Sequence, residues 1–319
     1  MAMVAARAGV SGQTVSRVVN GSPRVDPDTR TRVESAMADL GYRPHRAARA
    51  LRTGRSQTIG LVVTTLATVG NSRMLQATAE AAAEHGYALT VVTAAGGLDA
   101  AFERLAEQEV DGAVVLNEAS ALVPGAHLPT SLRLVVVDAP AGGRFASVHS
   151  DHRGGAESAT ARLLELGHAT VHHLAGPADS FAASERERGW RDALAAAGVE
   201  CPEVVRGDWR AEAGFAAGPA LRDASAVFCA NDQMALGLLR ALAEAGRNVP
   251  AQVGVVGFDD VPDAANYRPP LTTIRQDFRA LADRAIAILV AEIEGGAAEG
   301  PSVIPTRLIE RASTREVGA

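Results

Sequence analysis

A chain of 319 residues, 47% apolar and with a net charge of −6, can bury a sizeable core and is too long for one ordinary domain. The charge is uneven: residues 1–57 hold 10 Arg against 4 acidic residues, net +6, and the remainder holds 21 against 33, net −12. A basic head on an acidic body fits a polyanion for the head alone. No run of about 18 apolar residues could span a membrane, no signal peptide is apparent, and Cys201 and Cys229 lack metal-ligand spacing, so a cytoplasmic protein with reduced thiols is expected.

Residues 2–8 predict a first helix, with Met3, Val4 and Ala8 turned toward the next one. Gly9 supplies a tight turn. Residues 10–20, VSGQTVSRVVN, then have the pattern of the second helix of a helix-turn-helix. Ser11 can accept from an unpaired backbone N–H at the helix start. Val15, Val18 and Val19 fall on one face at helical spacing. Gln13, Thr14, Ser16 and Arg17 project from the other, and these side chains can reach base edges or phosphates. Asn20-Gly21 ends the helix. Asp26-Pro27 starts a third, with Val33, Met37 and Leu40 on one face and Gly41 as its stop.

Pro44 separates this head from residues 45–52, HRAARALR, which have helix propensity but a single large apolar side chain. Such a helix is marginal alone. It suits folding against DNA, and it equally suits a plain linker. Residues 53–56, TGRS, read as a flexible joint.

From Thr58 onward apolar runs alternate with helical patterns. Strands are expected at Ile59–Val63, Leu89–Thr93, Gly112–Leu116, Leu134–Asp138, Val171–Ala175, Ala226–Ala230 and Val253–Phe258. Helices are expected near 73–85, 100–108, 155–166, 184–197, 210–223, 232–245 and 279–294. Continuous Val/Leu/Ile runs between helices indicate parallel strands buried on both faces. The fold class is therefore α/β: a three-helix head, then two doubly wound parallel-sheet subdomains with a cleft between them.

Ligands of such sheets sit beyond the carboxyl ends of the strands. Thr64, Thr65, Asn117, Asp138, Asn231, Asp232, Asp259, Asp260 and Gln276 lie there, with Arg186 and Trp209 in nearby connections. Carboxylates, amides and one Arg around an aromatic face are what a sugar requires: each hydroxyl wants a donor and an acceptor, and the ring's C–H side wants an apolar wall. Several positions have a structural alternative. Asn231-Asp232 can cap the following helix, with Asp232 the preferred cap and Asn231 the preferred ligand. Asp260 reads as more structural than Asp259, Trp209 can be core, and Thr65 can cap or bind. Enzyme signatures are absent: no G-x-G-x-x-G follows a strand, a phosphate loop is impossible without Lys, and no G-x-S-x-G occurs. His172 and His173 fall in one strand, on opposite faces, which does not suit a shared metal. No cofactor, metal or catalytic group is expected.

The stretches GVSGQTVSRVVNG, GYRP, ANDQMALG, VVGFDD and PPLTTIRQDFR occur in this order. With them the chain resembles the lactose repressor family of bacterial transcription regulators from about residue 2 to about 315. The runs Thr64–Ala67 and Gly207–Trp209 point within it to the repressor that gives the family its name. The resemblance implies a helix-turn-helix domain at 1–44, a hinge helix and linker at 45–57, and an effector core at 58–319 similar to periplasmic sugar-binding proteins. The core would comprise an N-subdomain of about 58–149 plus 277–304 and a C-subdomain of about 150–276 plus 305–319. Gln13 and Arg17 would read bases and Leu51 would wedge into the minor groove; the full DNA-contact set is Ser11, Gln13, Thr14, Ser16, Arg17, Asn20, Arg46 and Leu51. Asp138, Arg186, Asn231, Asp259 and Gln276 would hold the effector, with Trp209 stacked on it; Thr64, past the end of the first strand, completes the expected effector set. The Arg186-x-x-Gly189-Trp190 spacing supports placing Arg186 there.

The sequence departs from that pattern in places. Gly12 brings no side chain to a base-reading position, so the operator should differ. The first helix begins close to Met1, which implies an upstream start or weaker DNA binding. Asn71 and Ser150 make the pocket more polar, so the sugar should differ. No leucine heptads follow Arg311, which implies a homodimer without a tetramerisation helix. The expected function is a sequence-specific repressor on a pseudo-palindromic operator, nucleoid-associated when bound. A galactoside or related glycoside in the cleft would release it by separating and unfolding paired hinge helices. A corepressor, a non-sugar effector, or a sugar-binding transport or chemoreceptor role are the alternatives.

Overall fold

The computed structural model describes all residues except Asn20, 43–53, 130–131, 140–144, 297–299, Ala319 and the side chain of Pro124. The chain forms two compact units, Met1–Ser56 and Gln57–Ala319. Among the described residues, no helix is long and apolar enough to cross a membrane.

The first unit is three helices, α1 (Ala2–Ala8), α2 (Gly12–Val19) and α3 (Pro27–Asp39). Gly9 ends α1 with a left-handed φ of 65°, a conformation that costs glycine nothing. Ser11 Oγ then accepts from Thr14 N at 3.2 Å, and the Asp26 carboxylate caps α3 through Thr29 N at 3.1 Å. The core consists of small side chains: Val4, Ala5, Ala8, Val15, Val18, Val33 and Ala36. Two expectations need correction here. Met3 is 72% and Leu40 40% exposed, and Ala5 and Ala36 supply the contacts instead.

The second unit holds two six-stranded sheets. The first is wholly parallel and built from β1 (Thr58–Val63), β2 (Ala88–Thr93), β3 (Gly112–Leu116), β4 (Arg133–Val137), β5 (Ala146–Ser150) and β11 (Ser302–Ile304), in the spatial order β11-β5-β4-β3-β1-β2. Helices α4 (Val69–Glu84) and α11 (Phe278–Ile293) cover one face through Met74, Ala81, Ile286 and Leu289. Helix α5 (Leu98–Glu107) and a 3-10 turn at Asn117–Gly125 cover the other.

The second sheet comprises β6 (His172–Ala175), β7 (Val205–Arg206), β8 (Ala226–Cys229), β9 (Gly254–Asp259), β10 (Thr272–Arg275) and β12 (Arg307–Ile309), ordered β12-β10-β9-β8-β6-β7 with only β12 antiparallel. Helices α6 (His152–Glu165) and α7 (Phe181–Ala196) pack on one face, and α8 (Ala211–Ala216), α9 (Gly218–Leu221) and α10 (Asp232–Glu244) on the other. The single helix expected over 210–223 is thus two short ones, interrupted at Ala217-Gly218-Pro219 where proline withholds its N–H.

Among the described residues the chain passes between the sheets at Asp151, at Gln276-Asp277 and at Pro305-Thr306. Two of these crossings are laced together: Asp151 N donates to Ile304 O at 2.8 Å and Thr306 Oγ1 to Asp151 O at 3.1 Å. The sheets therefore form two lobes joined by a narrow bundle, with strand ends of both facing the gap.

Candidate functional site

On the head, α2 presents Gln13 and Arg17 on its outer side, with Thr14 and Ser16 beside them. Ser11 is engaged at the helix start, by Thr14 N and by the Thr14 hydroxyl at 3.0 Å. Asn20, Arg46 and Leu51 lie outside the described residues. A helix face carrying an amide and a guanidinium, with two valines anchoring its back, is suited to entering a major groove.

In the second unit the strand ends close around a small cavity of about 50 Å³. Six of the seven expected effector residues line it: Asp138, Arg186, Trp209, Asn231, Asp259 and Gln276. Thr64 does not. The chain turns after β1, with Ala67 N held on Thr65 Oγ1 at 3.0 Å, and the first turn of α4 provides the wall instead, with Thr68, Gly70 and Asn71. Asn117, Glu118 and Phe278 also line the cavity; only Asn117 stood out in the sequence, as a polar residue past a strand.

The backbone of this wall is unusual. Seven described non-glycine residues have positive φ, and four of them line the cavity: Asn117 (48°), Asp138 (55°), Trp209 (75°) and Asp259 (112°). Such conformations cost on the order of 1–3 kcal/mol each and collect where side chains must be aimed at a ligand. They turn strand-end side chains into the gap.

Arg186 is the cation of the site. Its Nη1 lies 3.6 Å from Asp259 Oδ1 and donates to the Ala230 carbonyl. Its guanidinium stands 3.8 Å over the Phe258 ring and 5.5 Å from the Trp209 ring. Nε and Nη2 approach His152 Nδ1 at 3.4 and 3.3 Å, so His152 accepts there and donates from Nε2 to Asp138 Oδ1 at 2.8 Å. Burial alone would raise the Asp138 carboxyl, but the His152 ring and Arg186 outweigh it and hold Asp138 below the usual carboxylate range. At Asp259 burial wins over Arg186 and the Gln276 amide, which donates at 2.6 Å, and the carboxyl is pushed up.

Asn231 caps α10: its Oδ1 accepts from Met234 N at 2.9 Å while its Nδ2 donates to the Trp209 carbonyl at 2.9 Å. Asp232, the preferred cap from sequence, is instead turned inward, accepting from Thr273 Oγ1 at 2.5 Å and Val261 N at 2.9 Å. The N-cap geometry requires an extended residue, and Asn231 at φ −151° supplies it. Asp260 is tied to Arg275 and Arg311 at 2.5 and 2.6 Å and does not line the cavity. Trp209 lies along Gly176, where a Cβ would collide with the indole. Its Nε1 donates across the gap to Glu118 Oε1 at 3.0 Å.

A helix-turn-helix unit and a two-lobed, doubly wound core on one chain define a class, the DNA-binding transcription regulators with a periplasmic-binding-like core. The family models agree: residues 1–45 match bacterial regulatory proteins of the lacI family, and residues 160–314 match the periplasmic binding protein-like domain. The HTH-type transcriptional regulator CelR of Thermobifida fusca is 38% identical over 330 residues, which span 96% of this chain and 94% of CelR. The lac repressor dimer bound to operator and the anti-inducer ONPF superposes with a TM-score of 0.87 at 34% identity, covering 98% of each chain. A CelR–cellobiose complex superposes with a TM-score of 0.73 at 35% identity, again over 98% of each. The chain belongs to the lacI family of bacterial regulatory proteins and is a DNA-binding transcriptional repressor, not an enzyme.

Proposed function

We propose that the protein acts as a homodimer on a pseudo-palindromic operator and is released from it by a neutral glycoside of about disaccharide size taken up between the lobes. The observation that carries this is the imbalance of the cleft: Asp138, Asp259 and Glu118 surround Arg186, the one arginine among the described lining residues. An anionic effector would meet three carboxylates, whereas hydroxyl groups find acceptors on every side and an indole face for the ring. As it stands the cavity is small, about 50 Å³. A pyranose therefore enters with the lobes apart and is enclosed as they return. The relatives' own partners give the same chemistry: cellobiose for CelR, and operator DNA for the lac repressor dimer.

The DNA contacts proposed are those of α2, with Gln13 and Arg17 reading bases, and the effector contacts those of the cleft. Release requires the glycoside to favour the DNA-incompetent arrangement, by about 1–3 kcal/mol if the coupling is of ordinary size. Fluorescence anisotropy on a selected operator, titrated with cellobiose, lactose and related glycosides, tests this. At least one should weaken operator binding by about 5- to 150-fold. Undiminished binding at saturating doses of all of them would overturn the reading.

A further inference from the structure

One wall of the cleft holds acceptors that no described residue satisfies. Asn117 donates its amide N–H to Asn71 Oδ1, and Asn71 in turn donates to the Thr65 carbonyl at 2.9 Å; this leaves Asn117 Oδ1 buried without a partner among the described residues. Next to it, Glu118 uses Oε1 to accept from Trp209 Nε1, and its Oε2 is likewise buried without a partner among them. Both residues follow β3 of the first lobe, whereas Trp209 belongs to the second. Buried acceptors in native proteins nearly always have a donor. Two adjacent exceptions that line a cavity indicate a donor brought from outside.

We propose that Glu118 is an effector ligand and a selectivity residue of this cleft. Its Oε1 holds the edge of the Trp209 indole across the gap, and its Oε2 accepts a hydroxyl of the pyranose ring lying on that indole. The geometry follows from the bond at Nε1. An acceptor at an indole N–H sits in the plane of the ring at its rim, and a pyranose stacked on the face carries its equatorial hydroxyls outward over the same rim. Asn117 Oδ1, one residue away, is placed for a second hydroxyl. A carboxylate at this point selects a free hydroxyl and disfavours a phosphate or uronate there. Because the Glu118–Trp209 bond spans the lobes, this contact is complete only when they are together, so the ligand that uses it also reports closure. This assignment rests on the glycoside reading above and names the residue that discriminates within it.

The test uses the full-length protein with cellobiose and lactose as probes, followed by calorimetric titration, and E118Q as the shape-preserving variant. The substituted amide can still offer its carbonyl to Trp209 but turns N–H groups toward the ligand. Losing one charged hydrogen bond should weaken the bound disaccharide about 10- to 100-fold, in a protein that still unfolds cooperatively. An E118Q affinity within about twofold of wild type, well inside that range, would overturn the proposal while leaving the glycoside reading intact. Failure of the wild type to bind any disaccharide tested would overturn that reading and, with it, the ligand role of Glu118. A separate readout needs no sugar: acrylamide should quench Trp209 more readily in E118A than in wild type. Equal quenching would overturn the cross-lobe contact.

Discussion

Arg17 stands in the last turn of α2, on a backbone anchored from behind by the buried Val15 and Val18. If it reads a base, Arg17→Ala should cost about 1–3 kcal/mol on the selected operator and relax preference at one position; anisotropy on matched and substituted duplexes would show it, and an unchanged constant would deny the role. Single residues were legible in the sequence where chemistry and position coincided. Asp138 and Asp259 stand out because a carboxylate directly after a buried strand has no structural reason to be there. Glu118 gave no such signal, since a glutamate one residue further on looks like any solvated side chain; only the indole it meets from the other lobe, 91 residues away in sequence, gives it meaning. Thr64 illustrates the opposite error. Proximity to a strand end suggested a ligand, but the turn built on Thr65 passes the wall on to the start of α4.

Between elements, α6 and α7 approach closely on the Arg186 side of the second sheet. A Cβ on Gly189 would collide with the Arg153 carbonyl oxygen, a backbone atom that cannot step aside. Gly189→Ala should therefore force the helices apart and cost about 1–3 kcal/mol, as overpacking does, lowering the urea midpoint of the core. Because Arg186 sits one turn earlier on the same helix, sugar affinity should fall in parallel. The long elements were readable from apolar runs and helical spacing, and the observed bounds differ from expectation by few residues. Strands β5, β7, β10, β11 and β12 were not. They are two to five residues long, and β5 reads ASVHS without an apolar run. Their identity as strands comes from neighbours already in the sheet, which no local pattern contains.

At the scale of the molecule, acid stability has a defined source. His173 is fully buried between Phe228 and Trp190, with ring centroids 4.8 and 5.3 Å away, and its Nδ1 is 2.9 Å from the Phe228 carbonyl. Burial pushes this imidazole down to about 4, and His168 and His172 are lowered by burial as well. The unfolded chain takes up the proton near pH 6.5, while the folded core refuses it until about pH 4. Stability from this residue is therefore intact above about pH 6.5 and declines as the pH falls toward 4, by about 3 kcal/mol in all. Denaturant midpoints measured at about pH 7.5 and about pH 4.5, on either side of the free imidazole's value, should differ less in H173N than in wild type; an identical difference would remove His173 as the cause. The division into a basic head and a larger acidic remainder was visible in charge alone. The lacing of the crossings was not, because it joins Asp151 to Ile304 and Thr306 through one backbone pair and one threonine hydroxyl, about 155 residues apart in sequence, that no local pattern links.

That lacing bears on how the protein is born. Strand β5 lacks its outer neighbour until 302–304 have been made, and β10 until 307–309, while the Ser313 hydroxyl that ties into Val255 comes later still. Ribosomes deliver the amino end first, and the three helices of the head are already complete at Asp39. Each nascent molecule thus carries the helices of its head long before its core can close, and the core's edge strands and ties wait for residues 302–313.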